Sequence, residues 1–327
     1  DPDGDWSSDV CSSDLDPSIG YEKVERILDA AHAIKLQTSR VVGEKRIPDE
    51  VLKQRLLENY KKNNEVHSNL EPYVKLEFPE INKIPIEPED DILYFIIKYG
   101  DIEEWEKSLL EIVRQEASYF LPQIETKIMN EGWASFWHYN ILKKLNLPDE
   151  LYLEFIKRHN DVIAPGQGSI NPYFIGFKIF EDILKRYGRD KIFEVRAIER
   201  DESFLRKYLT QELCEELHLF EYAAKNGNYI VKEVADDNGF KSIRNTLASS
   251  CGVGSIPLIR ITEMSQKDKT LNLEHVYDGR ELNTAYAEAT LKYIYELWGH
   301  TVTLKTTRIG NQIRLICDDK KVVVKIV

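Results

Sequence analysis

The stretch from Leu121 to Leu142 constrains the fold of this chain more than any other. Its spacing predicts one helix, with Pro122 in the first turn, where a missing N–H costs least. At roughly 100° per residue, Lys127, Glu131, Ser135 and His138 fall on one narrow stripe. Ile128, Met129, Trp133, Ala134, Phe136, Trp137, Tyr139 and Ile141 surround that stripe. A helix apolar nearly all round is expected to be buried. Its ammonium, carboxylate and imidazole then need partners, because unpaired charge is costly in a protein interior. Such a helix requires other helices packed around it.

The rest of the 327 residues is long enough to supply them and to form two domains. Net charge is −12 and the isoelectric point is near 5.2, which argues against nucleic acid and against anionic membrane surfaces as partners. No apolar run approaches the ~18 residues of a membrane span. No charged start followed by an apolar core marks a secretory signal. The cysteines at 11, 214, 251 and 317 are scattered, which suits free thiols in a cytoplasmic protein.

Residues 1–15 are polar and rich in Asp and Ser, with Ser-Ser-Asp at Ser7 and again at Ser12. They are expected to be a disordered, non-native tail that resembles translated adapter sequence, and Cys11 falls within it. A helical domain is expected over 16–218. It begins with helices over Tyr21–Thr38 and Asp49–Asn63, followed by a Pro-rich extended loop from Asn64 to Asp91. Further helices are predicted over Asp90–Tyr99, Glu103–Phe120, Asp149–His159 with Asp149 as cap, and from Pro172 to Tyr187 behind Asn171. Shorter ones follow over Asp190–Arg200, Ser203–Leu209 and Thr210–His218.

After about Leu219 the period changes, and 219–327 is expected to form a small α+β domain with a mostly antiparallel sheet. Strands pair across Asn226-Gly227-Asn228 and across Ile309-Gly310-Asn311, and two helices, Phe240–Ser250 and Asn283–Trp298, cover one face. The fold class is therefore α+β: a mainly helical N-terminal domain, then the small α+β one.

Several segments together resemble the SpoVR family (stage V sporulation protein R-like). They are Glu125 to His138; His159-Asn160-Asp161-Val162 with Asn171-Pro172-Tyr173 and Gly176-Phe177; and Leu28 to His32. Asp278-Gly279-Arg280 and Leu297-Trp298-Gly299 are similar to the family's C-terminal segment. The likeness spans Asp16 to Val327. It implies that a further N-terminal stretch, bearing a histidine-containing helix, precedes the equivalent of Tyr21 in family members. This chain would then correspond to roughly their C-terminal two thirds. The resemblance also implies a cytoplasmic role in spore-cortex formation and stress response. The partners it implies are a PrkA-type serine kinase and a von Willebrand A-like protein.

Glu131-Gly132-Trp133-Ala134 also resembles a segment of zincin-type metallopeptidases in which the glutamate is a metal ligand. That likeness makes Glu131 the candidate ligand of zinc or another divalent metal in the full-length protein. His138 lies seven residues on, about 10.5 Å along the axis, too far to share one ion with Glu131 on a straight helix. It is a candidate supporting group, as are Asp29 and His32, an i, i+3 pair able to touch. Lys127 and Glu131 at i, i+4 can also form an ordinary helix ion pair. His159 beside a glycine-rich loop either lines a cleft or ends a helix whose dipole favours imidazolium. Gly166-Gln167-Gly168 and Gly252-Val253-Gly254 lack the frame of a phosphate loop. His67, His218, His275 and His300 have no partner at ligand spacing and read as surface or core. Two functions follow: a metallohydrolase with catalytic residues His138, His32, Asp29 and His159, or a non-catalytic regulator or scaffold that binds a partner protein. A common cleft for these side chains is the expectation of the first.

Overall fold

A computed structural model of the chain describes residues 19–40, 45–70, 78–164, 170–225, 228–234, 236 and 238–326. The expected tail with Cys11, the Gly166–Gly168 segment and the Asn226-Gly227 turn lie outside them, as does the side chain of His67. In chain order the helices and strands are α1 (Tyr21–Ile34), α2 (Asp49–Leu70), α3 (Ile92–Tyr99), α4 (Glu104–Ile124), α5 (Lys127–Lys144), α6 (Asp149–Ile163) and α7 (Pro172–Tyr187). Next come α8 (Arg189–Ile198), α9 (Asp201–Tyr208), α10 (Gln211–Glu216), β1 (Glu221–Lys225), β2 (Asn228–Glu233) and α11 (Gly239–Ser249). The chain closes with β3 (Ile259–Met264), β4 (Leu271–His275), α12 (Thr284–Trp298), β5 (Val302–Arg308), β6 (Asn311–Asp318) and β7 (Lys321–Ile326). The class is the expected one, helices first and a mostly antiparallel sheet last. No helix among the described residues is long and apolar enough to cross a membrane.

Two compact units form: Asp1–Tyr119 with Pro257–Val327, and Phe120–Ile256. This partition differs from the expected division at 218/219, because the β1–β2 hairpin and α11 fall in the second unit.

In the first unit the sheet order is β3-β4-β5-β6-β7. All neighbours are antiparallel except β4 and β5, which run parallel with α12 as the crossover. Alternation puts Ile259, Ile261, Leu271, Leu273, Val302, Leu304, Ile313 and Leu315 on the core face. Leu291, Ile294, Leu297 and Trp298 of α12 close over it, and α1 packs on α12. The helix over 240–250, expected as the second cover, instead packs on α9 in the second unit. The Pro-rich segment is also not a single loop. α2 continues to Leu70, and near its far end Glu89 pairs with Ile261 while Met264 N–H donates to the Ile84 carbonyl (2.6 Å), extending the β3 edge. Next to it, fully buried Asp91 caps α3 at Tyr94 N–H (2.9 Å) and accepts from Thr38, Arg46 and Arg114.

In the second unit α5 and α7 cross at two glycines. A Cβ on Gly132 would overlap the Gly176 backbone and lie 2.9 Å from Phe177 N. One on Gly176 would overlap the Ile128 carbonyl and lie 2.7 Å from Gly132 Cα. A mid-helix glycine costs about 1 kcal/mol of helix stability. The close crossing explains its presence twice at one point. Around it Met129, Phe136, Ile175, Phe180, Phe204 and Leu205 form the core.

The stretch expected as one helix is two. Pro122 sits in the last turn of α4, and α5 begins only at Lys127. Thr126 Oγ1 donates to the Pro122 carbonyl (2.7 Å), and the chain breaks there because a distant carboxylate claims the N–H groups that a continuous helix would use. At the next helix, Pro148 stands in the cap position and Asp149 in the first turn, where negative charge is favoured.

Gly132→Ala is expected to destabilise the chain by about 3 kcal/mol, since two backbones must separate to admit one methyl group. Urea midpoints of Gly132→Ala and of Ala134→Gly, the exposed neighbouring control, measure this. A loss for Gly132→Ala no larger than the ~1 kcal/mol expected of the control would rule out a tight crossing.

Candidate functional site

α5 carries two opposite faces. Met129, Gly132, Ser135 and Phe136 are buried, while Lys127, Ala134, His138 and Ile141 are exposed. The sequence reading of a helix buried all round is thus corrected: its polar stripe borders solvent, and only Ser135 of that stripe is buried. The apolar count misled because Ala134 and Ile141 face outward and the two tryptophans are half-buried. Trp133 and Trp137 meet each other and Phe193 at ring distances of 5.4–5.6 Å.

The N-terminus of α5 is set by Asp201, 1% exposed, whose carboxylate accepts from Ile128 N–H (2.8 Å) and Met129 N–H (2.9 Å). Its own N–H donates to the Glu125 carbonyl (2.8 Å), and Arg200 beside it pairs with Glu125. A side chain 72 residues away therefore does the work of a helix cap. Burial pushes the Asp201 carboxyl up to about 6; the two N–H donors oppose the rise, and Glu131 adds to it. Burial, followed by the charges of Asp201 and Glu202, pushes the Cys251 thiol up to about 12, so Cys251 is an unreactive thiol at neutral pH.

Glu131 is half-buried, and its Oε2 is buried without a hydrogen-bond partner. Burial raises its pKa, with Lys127 pulling the other way. No ion pair within 4 Å forms between Lys127 and Glu131, so the ordinary i, i+4 bridge is absent.

His159 lies inside α6, which runs on to Ile163, so it does not end the helix. It is 3% exposed and packs against Tyr139 (4.9 Å between ring centroids), Phe177 (5.1 Å) and Phe155 (6.0 Å). Its Nε2 is buried and unpartnered. Burial, then the nearby His138, lowers its pKa, so the ring is neutral and is not the imidazolium a helix end would favour. His138 comes within 6.4 Å of it from α5.

Asp29 and His32 belong to the first unit, on α1. Asp29 is exposed, His32 is half-buried, and no hydrogen bond joins them.

Metal binding can be tested against this donor set. Zn–N bonds near 2.1 Å in tetrahedral geometry put co-ligating imidazole centroids about 5 Å apart, closer than the His138–His159 pair. Glu131 is two turns back from His138. Among the described residues no group of three or more His, Cys, Asp or Glu side chains could hold a metal ion. The described donors do not fit a zinc site.

The model of SpoVR-like proteins matches residues 9–256, and that of the SpoVR-like C-terminal domain matches 257–308. The chain belongs to the SpoVR family. The boundary between the two matches coincides with the Ile256/Pro257 boundary between the compact units. The first match begins inside the 1–15 stretch. The chain is also similar to YcgB of Escherichia coli strain K12, an uncharacterized protein, at 29% identity over 338 residues. That likeness covers 91% of this chain and 66% of YcgB, so the SpoVR chain spans just under two thirds of its relative's length. No solved structure matches it.

Of the site residues read from sequence, the structure brings His138 and His159 together and leaves Glu131 apart on the same helix. Asp201 was missed because no local signal marks a residue that caps a remote helix. The nearness of His138 and His159 had one signal, the short Leu145–Pro148 turn that makes α5 and α6 antiparallel neighbours.

Asp201→Ala is expected to cost about 2 kcal/mol, the loss of a cap plus two orphaned N–H groups, and Asp201→Asn about half of that. The folded pKa of Asp201 is raised, so the native state binds the extra proton between pH 3.8 and about 6. The Asp201 contribution to stability therefore falls as pH rises through that window. The difference between wild type and Asp201→Asn in urea midpoint, measured from pH 4 to pH 7, should show this slope. A flat difference overturns the assignment.

Proposed function

We propose that this SpoVR chain acts as a cytoplasmic, non-catalytic regulator in spore-cortex formation or stress response. On this reading the α5–α6 face of the second unit engages a partner protein, of which the PrkA-type serine kinase is the first choice and the von Willebrand A-like protein the second. One observation carries it. Glu131 Oε2 on α5 and His159 Nε2 on α6 are buried polar atoms without partners; exposed His138 lies 6.4 Å from His159, and Ile141 is exposed on α5. Each such orphan costs about 1–3 kcal/mol. A protein keeps them when something outside the isolated chain supplies the missing hydrogen bonds. A partner's polar side chains over an apolar rim of Ala134 and Ile141 would do so.

A second reading, a metallohydrolase with Glu131 as ligand and His138, His159, His32 and Asp29 in support, is favoured by the same unpartnered carboxylate oxygen. The described residues do not provide its donor set.

Two measurements separate the readings. In pull-down and calorimetry with the purified kinase, His138→Ala with Ile141→Glu should weaken binding about tenfold or more. Both positions are exposed, so folding is spared. His159→Phe should raise the stability of the free chain by about 1 kcal/mol by removing the orphan nitrogen, while weakening the complex. Neither candidate partner binding, or binding indifferent to these changes, refutes the regulator. Stoichiometric metal in YcgB that is lost in its counterpart of Glu131→Gln would favour the hydrolase.

A further inference from the structure

The face of the first unit's sheet opposite its core carries a row of charge that neither reading uses. Strand register aligns Arg260 with Glu274, Glu274 with Lys305, Lys305 with Arg314, and Arg314 with Lys325. One residue from each of five strands thus lines up across the sheet, four of them cationic and one anionic. The anion lies near one end. Glu274 is 3.5 Å from Lys305, and Arg260 is tied to Asp90 at 2.7 Å. Arg314 and Lys325 are exposed, and among the described residues no carboxylate lies within 4 Å of either.

Like charges directly opposite each other on neighbouring strands are destabilising. Lys305, Arg314 and Lys325 are three in succession. The chain as a whole is strongly acidic, at −12, so a solvated face would more readily have carried carboxylates here. The row is a local conflict that a bound anion would resolve.

A cavity of about 360 Å³ opens at the Arg260–Lys305 end of the row. Beside those two cations and the Glu274 carboxylate between them, Thr307, Gln312 and Tyr277 border it, so the cavity suits the uncharged part of a ligand better than its phosphates. Tyr277 belongs to the loop leading into Asp278-Gly279-Arg280, the motif similar to the family's C-terminal segment, and its hydroxyl donates to the Gly279 carbonyl (3.3 Å). The volume suits a small molecule and excludes a folded partner. Neighbouring strands lie about 4.8 Å apart, so Lys305 to Lys325 spans roughly 10 Å, the reach of two or three linked phosphates.

We propose that the open face of this sheet binds an organic diphosphate or polyphosphate, with its phosphates on the Lys305–Arg314–Lys325 row and the remainder in the cavity beside Tyr277. Arginine contributes a bidentate fork for phosphate oxygens, and the lysines contribute point charges.

The test titrates the full 327-residue chain at low ionic strength with pyrophosphate and with ADP, by calorimetry. Both should bind saturably, ADP more tightly because its nucleoside occupies the cavity. Arg314→Thr and Lys325→Thr should each weaken both ligands about tenfold, and added salt should weaken them further. The unliganded variants should be no less stable than the parent, because the substitutions relieve repulsion. That result separates lost binding from lost folding. No saturable binding at millimolar ligand, or binding unchanged in both variants, overturns the proposal. Binding of a single-stranded oligonucleotide that pyrophosphate does not displace also overturns it, in favour of a nucleic-acid surface.

Discussion

The Asp201 carboxylate holding the first turn of α5 is the interaction on which the second unit depends. It stops α4 and α5 from merging and fixes where α5 begins. The start of α5 in turn sets which residues of the helix face inward. With Lys127 as the first residue, Gly132 meets Gly176 and Ser135 and Phe136 enter the core, while His138 reaches solvent. A shift of one residue would rotate every side chain by about 100° and put Trp133 against the Gly176 backbone. The glycine crossing tolerates no such shift. Cap and crossing therefore specify the same register from two ends.

The first unit uses a buried aspartate to a similar end with different chemistry. Asp91 caps its own helix and is surrounded by donors from Thr38, Arg46 and Arg114. Two guanidinium groups offset the cost of burying that carboxylate. Asp201 is buried with no cation against it among the described residues, and burial, with Glu131 nearby as a lesser like charge, holds its proton to about pH 6 although two backbone donors at a helix start oppose the rise. One aspartate is a neutralised structural centre. The other is a cap under electrostatic load.

The two candidate surfaces differ in the same way. On the α5–α6 face the unusual feature is a pair of unpartnered buried polar atoms, the acceptor Glu131 Oε2 and the ring nitrogen His159 Nε2, which need hydrogen-bond partners from outside. On the open sheet the excess is of cationic donors in the row through Arg314 and Lys325, which need an anion. One suits a polypeptide bearing polar side chains and the other suits phosphates, so the two proposals do not compete for a ligand.

The sequence by itself determined the elements. Periodicity placed α1, α7 and α12 and the strands of the sheet to within a few residues, and Asn171 was legible as a cap because capping is local, whereas Asp149 proved to be the first residue of its helix behind Pro148. The family was legible in its long motifs. Only the tertiary structure decided the break at Thr126, since the capping group comes from Asp201, far along the chain. It also decided which face of α5 is wet, because composition counts apolar residues but cannot say which of them a neighbour covers. The same limit hid the basic row. Arg260, Lys305, Arg314 and Lys325 are unremarkable in four separate strands, and they become a surface only when backbone hydrogen bonding fixes the register that aligns them.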